Sequence, residues 1–302
     1  MVPFDVSSAE ATSSAARPRR AAEVWREGKS VTSAPTVSVI TISLHDLDGL
    51  KRTVDSVQAQ RYGGRIEHIV IDGGSGDAVV EYLSGCEPCF TYWQSEPDGG
   101  RYDAMNQGIA HATGDLLWFL HSGDRFSDPD AVAEVVKAIS GHGPARDVWG
   151  YGMYYVVGTG RLYKGPRPFS IRKFLAGWPW WQAVPHQASF FGSSLVNKLG
   201  GYDIDFGLAA DQEFILRAAL LQAPITIRRV VCDFDTSGVG SNWPVREVFR
   251  ELRRLWDLHG FYPLGGRRLS LAYLGCWEYC LRCLEYVFVR SKTLARSRRN
   301  LR

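Results

Sequence analysis

No stretch of the chain offers the charge-free apolar run of about 20 residues that a membrane-spanning helix needs. The most apolar segment, Leu269 to Val289, is interrupted by Glu278, Arg282 and Glu285. Their spacing of four and three puts them on one helical stripe, with Glu278 N-terminal to Arg282 as an ion pair prefers. Such a helix lies on a bilayer surface or docks on the protein body. Cysteine is sparse, and Cys86, Cys89, Cys232, Cys276, Cys280 and Cys283 do not make a disulfide-stapled secreted domain. Cys86-x-x-Cys89 and Cys280-x-x-Cys283 have zinc-ligand spacing without ribbon-like context, so ordinary small apolar residues are expected. Residues 1–35 lack the continuous apolar core of a secretion signal. A flexible leader, with a short helix near Ala21–Arg26, and a cytoplasmic setting are expected.

Acidic residues are absent from the C-terminal stretch that begins at Arg290, where Arg290, Lys292, Arg296, Arg298, Arg299 and Arg302 fall. Those six cations exceed the whole chain's net charge of +3, so the remainder is mildly acidic. A cationic tail on an acidic body points to an anionic surface, and the inner face of the plasma membrane is the expected site of peripheral attachment. No helix-turn-helix, zinc-finger or RNP-like pattern accompanies the charge, so a nucleic-acid partner is not expected.

What is present is alternation. Thr36–Ile42 is a β-branched strand after Pro35, and Asp48–Gln60 has Leu50, Val54 and Val57 at helical spacing. Ile66–Ile71 is a second strand closing on Asp72-Gly73-Gly74-Ser75, followed by a short helix at Val79–Leu83 and a strand near Phe90–Gln94. Asp103–Ala112 is helical, Leu116–Leu120 is apolar enough for a strand buried on both faces, and Pro129–Ile139 is a helix with Asp128 as N-cap. Strands alternating with helices imply an α/β fold with a Rossmann-like, mostly parallel central sheet. From Asp147 the pattern changes to a hairpin across Gly158, a Pro- and Trp-rich stretch at 166–185, a short strand at Ser189–Phe191, a short helix at Ser194–Leu199, a helix at Asp211–Leu221 and a strand at Ile225–Phe234. Val245–His259 is an amphipathic helix. The expected division is a leader at 1–35, a catalytic domain at 36–240 with halves at 36–124 and 125–240, and a helical extension at 241–302.

Chemistry concentrates between Glu96 and Asp124, an acidic turn, a helix and a strand with a carboxylate where it runs out. Open α/β sheets bind ligands at the carboxyl ends of their strands. Asp124 is therefore expected where a phosphate-bound metal would sit.

VSVITIS, IDGGSGD, DGGRYDAMNQGIAHATGD, FLHSGD and AADQEFILRA follow one another in an order that resembles the inverting family 2 glycosyltransferases of GT-A fold, over roughly Val37 to Phe234. The resemblance implies a nucleoside diphosphate sugar donor, with UDP favoured, and a glycan or lipid-linked acceptor. It places Ser43 and Asp72 against base or ribose, although Asp72 equally suits a turn that bonds its own backbone. Asp98, Arg101 and Ser122 border the nucleotide, Arg101 facing the diphosphate, and Asp103 touches the ribose or caps its helix. Asn106 and Gly108 look structural. A divalent cation, Mn²⁺ or Mg²⁺, is implied at the strand end, where this chain has His121-Ser122-Gly123-Asp124 in place of an Asp-x-Asp pattern. Asp124 and His121 are the candidate metal ligands.

Asp211 falls where the family's catalytic base would be, and its helix N-terminus is expected to keep its pKa low. His186 and Gln187 face the donor sugar or diphosphate, or simply pack. Trp180 and Trp181, beside Trp178 and between prolines, suit an acceptor lid. Two rival readings remain. A sugar-nucleotide pyrophosphorylase would need a Gly-rich basic loop after the first strand, where the chain has Ser43-Leu44-His45-Asp46. A non-catalytic module that binds a nucleotide sugar or a partner is favoured by the thinned acidic pattern and opposed by Asp211.

Overall fold

The computed structural model describes residues 34–86, 88–177, 184, 186–236 and 244–299. Most of the expected leader lies outside them. Strand β1 (Val37–Ser43) is the centre of the first half: it pairs in parallel with β2 (Ile66–Asp72) and β4 (Leu116–Phe119), and β2 pairs in parallel with β3 (Tyr92–Ser95). The alternating Val and Ile of these strands fill both faces, and all four residues of β4 are buried. The connections α1 (Leu47–Gln58), α2 (Asp77–Gly85) and α3 (Arg101–His111) are helical, as parallel neighbours require.

Beyond β4 the strand directions mix. The remaining elements are β5 (Arg125–Phe126), α4 (Ala131–Ile139), β6 (Trp149–Val156), β7 (Arg161–Tyr163), α5 (Ile171–Gly177), β8 (Ser189–Gly192), α6 (Ser193–Leu199), α7 (Ala210–Leu221) and β9 (Ile225–Phe234). The order β3-β2-β1-β4-β8-β6-β9-β5 makes one sheet, with β7 attached to β6. β8 is antiparallel to both β4 and β6, and β6 runs parallel to β9. This places β8, and the turn His186–Ala188 just before it, beside the strand that leads to Asp124.

Several boundaries shift by one or two residues, and two of the differences bear on the site. Helix α4 starts after Asp130, two residues later than expected, yet the Asp128 carboxylate accepts the Asp130 N–H at 2.9 Å, the bond an N-cap makes, and also pairs with Arg229 at 2.8 Å. Strand β4 stops at Phe119, and His121 to Asp124 form a turn closed by the Asp124 N–H on the His121 carbonyl at 3.0 Å.

Helix α3 presses on β1 at Gly108, where an added Cβ would come within 2.3 Å of Ile40 Cγ2. Its start needs Gly100 at φ 102°, a conformation that side chains disfavour. Gly108→Ala is expected to destabilise the protein by about 1–3 kcal/mol through overpacking, read as a lowered denaturation midpoint at unchanged m.

The extension folds as α8 (Val245–His259) and α9 (Arg267–Arg299). Helix α8 buries Phe249, Leu252, Leu255 and Trp256 in the main core. Helix α9 packs on α8 through buried Leu274 and through Trp277, edge-on to Phe249 at 5.5 Å. Glu278 takes Arg253 of α8 as its principal partner, with Nη1 at 2.9 Å, while Arg282 stands 4.0 Å away. Among the described residues no helix is long and apolar enough to cross a membrane.

Candidate active site

Parallel pairing brings Ser43 and Asp72 level at the carboxyl edge of the sheet. The Ser43 hydroxyl is buried there without a hydrogen-bond partner. Asp72 is occupied. Its Oδ2 accepts from the N–H groups of Gly74 (3.2 Å) and Ser75 (2.8 Å) and from Ser95 Oγ (2.7 Å), and its Oδ1 accepts from Ser75 Oγ at 2.5 Å. Four donors fill the acceptor capacity of one carboxylate, so Asp72 shapes its own turn.

Asp98 and Asp103 shape the entry to α3. Asp98 accepts the Gly100 N–H at 2.7 Å, and Asp103 accepts the Gly99 N–H and Gln107 Nε2, both at 2.8 Å. Asn106 clasps the Tyr202 backbone at both its N–H (2.7 Å) and its carbonyl (2.9 Å). Helix α3 thereby carries Arg101 and Tyr102 to the start of α7. The Ser122 hydroxyl lies 2.9 Å from Asp46 Oδ2, and Asp46 also caps α1 through the Gly49 N–H at 2.9 Å. Ser122 thus ties the turn to α1.

Thr53, on the otherwise apolar face of α1, fastens the His121–Asp124 turn. Its hydroxyl lies 2.7 Å from the Asp124 carbonyl and 3.1 Å from both the His121 carbonyl and the Gly123 N–H. The Asp124 side chain is buried and accepts the Asp235 N–H at 2.8 Å, with Gln187 as a further donor. Burial, reinforced by the nearby Asp235 carboxylate, pushes its pKa well above the usual value.

His121 and His186 stand with ring centroids 5.4 Å apart. His186 Nε2 is 2.6 Å from the Tyr202 hydroxyl. His121 Nε2 and His186 Nδ1 are buried with no hydrogen-bond partner. Burial pushes both imidazoles down, His186 to about 3, and the positive field of Arg101 adds to this, so both rings are neutral at physiological pH. The Tyr202 ring stacks on Tyr102 at 5.6 Å, and the Tyr102 hydroxyl reaches Asp211 Oδ1 at 3.5 Å.

Asp211 opens α7, with its Oδ1 accepting the Gln212 N–H at 2.8 Å. Contrary to the expectation from its helix terminus, its pKa is raised. Burial outweighs the bonds from Gln212, the charge of Arg101 and the Tyr102 hydroxyl. Trp180 and Trp181 lie outside the described residues. Thr53, Tyr102, Tyr202 and Asp235 escaped the sequence reading; a lone hydroxyl amid Leu50, Val54 and Val57 was the one available signal, for Thr53.

Among the described residues no three His, Cys, Asp or Glu side chains converge as a metal cage. Two unpartnered imidazole nitrogens and the Asp124 carboxylate are the donors at hand. A cation that draws most of its ligands from diphosphate and water needs only one or two from protein, and this donor set fits that kind of site.

Residues 38–195 match the family described as Glycosyl transferase family 2. The chain is 70% identical over 263 residues to an uncharacterized glycosyltransferase of Mycobacterium tuberculosis, covering 86% of this chain and 99% of that protein. It is 29% identical over 228 residues to a PGL/p-HBAD biosynthesis glycosyltransferase of Mycobacterium bovis, covering 74% of this chain and 85% of that one. Among solved structures it resembles the mannosyltransferase PcManGT of Pyrobaculum calidifontis, in complex with GDP-Man and Mn²⁺ (TM-score 0.55, 22% identity, 82% of this chain and 70% of that one). It also resembles TarS 1-349 of S. aureus (TM-score 0.56, 16% identity, 74% of this chain and 64% of that one). At these identities the two structures speak to the fold.

Proposed function

The chain belongs to Glycosyl transferase family 2, and from that premise we propose that it moves a sugar, with inversion, from a nucleoside diphosphate sugar to a hydroxyl of a glycan or lipid-linked acceptor. A UDP-sugar is the favoured donor, and a peripheral position at the inner face of the plasma membrane is the favoured setting. In this reading Asp211 removes the acceptor's proton as the new bond forms. Arg101 holds the diphosphate, Ser43 takes a polar atom of the nucleoside, and Gln187 and His186 border the donor sugar. A divalent cation, Mn²⁺ or Mg²⁺, supplies charge neutralisation for the departing diphosphate, with Asp124 and His121 as its assigned ligands.

One observation carries the reading. An unbroken line of side chains joins the two candidate residues His121 and Asp211: His121 beside His186, His186 on the Tyr202 hydroxyl, Tyr202 stacked on Tyr102, and Tyr102 on Asp211. The charge of Arg101 bears on Asp211, His186 and His121 alike. These contacts support the reading, because they connect a cation, two neutral imidazoles and a carboxylate through one group of neighbouring side chains.

A thermal-shift screen of UDP-, GDP- and dTDP-sugars, with and without Mn²⁺, tests donor binding. Calorimetry on Asp124→Ala is expected to lose the Mn²⁺-dependent part of nucleotide binding; affinity equal to wild type would defeat the metal assignment. The rival reading, a binding module without turnover, draws support from the thinned acidic pattern at His121-Ser122-Gly123-Asp124. It would be upheld by tight donor binding with neither transfer nor donor hydrolysis.

A further inference from the structure

Helix α9 is apolar on two sides, and among the described residues the protein body covers one of them and touches the other only at Tyr273, whose hydroxyl donates to the Ala176 carbonyl of α5 at 3.3 Å. Towards α8 it buries Ser270 and Leu274 and packs Trp277 and Leu281. Away from α8, Leu269, Tyr273 and Cys276 are exposed, followed by Tyr279, Cys280 and Leu284, with Tyr279 at 71% and Leu284 at 64%. At 100° per residue these positions span an arc of roughly 140°. Ala272 and Cys283, also exposed, fall within it, and between Leu269 and Leu284 no charged residue does. Arg268 and Arg282 are exposed beside the arc. A helix with a second apolar face beyond the one it buries against its own body calls for a second apolar environment.

The sequence says which environment. Beyond Glu285 the helix continues to Arg299, and this stretch carries Arg290, Lys292, Arg296, Arg298 and Arg299 with no acidic residue. A second copy paired in parallel along the arc would set two such cationic stretches together, and an antiparallel one would leave both without counter-charge. An anionic lipid surface supplies both needs, an acyl boundary for the arc and headgroup charge for the cations.

We propose that the α9 face marked by Leu269, Cys276, Tyr279, Cys280 and Leu284 lies in the interface of an anionic bilayer. This assigns a face of the molecule to the peripheral placement proposed above. It rests on α9 itself, so a protein without transferase activity would still show it.

The test is co-sedimentation of the full chain with phosphatidylcholine vesicles, with and without one quarter phosphatidylglycerol, in low and high salt. Wild type is expected to bind the anionic vesicles and to release in high salt. Tyr279→Glu with Leu284→Glu is expected to cut binding at least tenfold at an unchanged thermal midpoint, because both side chains are already in water. Leu269→Asp provides a second reading of the same face, and Leu220→Glu, exposed on α7, is expected to bind as wild type. Equal binding by wild type and the α9 variants would overturn the proposal. So would a solution dimer that the variants dissolve while wild type ignores vesicles.

Discussion

Asp211→Asn is expected to lower kcat by about 10²- to 10⁴-fold, the usual worth of a positioned general base, while leaving donor affinity unchanged. Asn keeps the size of the side chain and an acceptor for the Gln212 N–H, which lies 2.8 Å from Oδ1. What it loses is the capacity to take a proton from the acceptor hydroxyl. The pH profile carries a second signature. Burial lifts the Asp211 carboxyl above its ordinary 3.8, so the acid limb of wild-type kcat/KM should lie above about pH 4, and the residual activity of the variant should lack it. Stability moves the opposite way to activity. A raised folded-state pKa means the native protein binds that proton more tightly than the unfolded chain. Stability therefore falls as pH rises from the unfolded to the folded pKa, and above that the cost of the buried charge is present in full. Asn removes the cost. At neutral pH the variant should melt at or above the wild-type temperature, and the difference should close as the pH is lowered towards 4. A kcat equal to wild type would remove Asp211 from the chemistry; loss of activity together with donor binding and a lower melting point would make it structural.

The strands around β1 were legible because a parallel sheet covered on both faces demands continuous Val, Ile and Leu, and the chain has few other runs of that kind. Helix α8 was legible to its end residues, Val245 and His259, because its apolar stripe and its charges separate cleanly. The position of Asp211 at the start of a helix was legible too, but not its environment. Its raised pKa depends on burial beside Tyr102, 109 residues earlier in the chain, and local sequence reports helix dipoles far better than it reports tertiary burial. The same limit applies to Asp72. A carboxylate after a strand looks available until Ser75 and Ser95 are seen to fill it. Strand directions beyond β4 were hidden for a topological reason. β8 is inserted antiparallel between β4 and β6, and a four-residue apolar strand carries no mark of its direction.

Arg217→Met is expected to cost about 3–5 kcal/mol, the range for breaking a buried ion pair from one side. Arg217 holds both Glu213 oxygens, at 2.8 and 2.9 Å, and also donates to the carbonyls of Leu199 (2.6 Å) and Gly201 (2.9 Å). Glu213 is 3% exposed and its other partner is His259 of α8, at 3.0 Å. Met keeps the apolar stem over Phe214, which the guanidinium now overlies at 5.1 Å, so the loss reports the guanidinium's charge and hydrogen bonds rather than its packing. At about 2–4 °C per kcal/mol the melting temperature should fall by on the order of 10 °C. The pH dependence fixes the cause. Burial alone would raise the Glu213 pKa, but His259 and Arg217 overcome it and hold the carboxyl below 4.5. A depressed folded-state pKa gives stability that is full above the unfolded value and is lost as pH falls through the folded one. Without Arg217, burial lifts the Glu213 carboxyl of the variant, so the gap between wild type and variant should be widest near neutrality and narrow as the pH falls into the carboxylate range. A fall of less than about 1 °C would class the cluster with exposed surface pairs, which contribute little. Function should follow through geometry. Gly200 and Gly201 lead into Tyr202, whose hydroxyl bonds His186, so a loosened loop should weaken donor binding in Arg217→Met, where Asp211→Asn leaves it intact. The two variants thus separate the base from the frame that holds it: one loses kcat with its fold unharmed, the other loses melting temperature and raises KM.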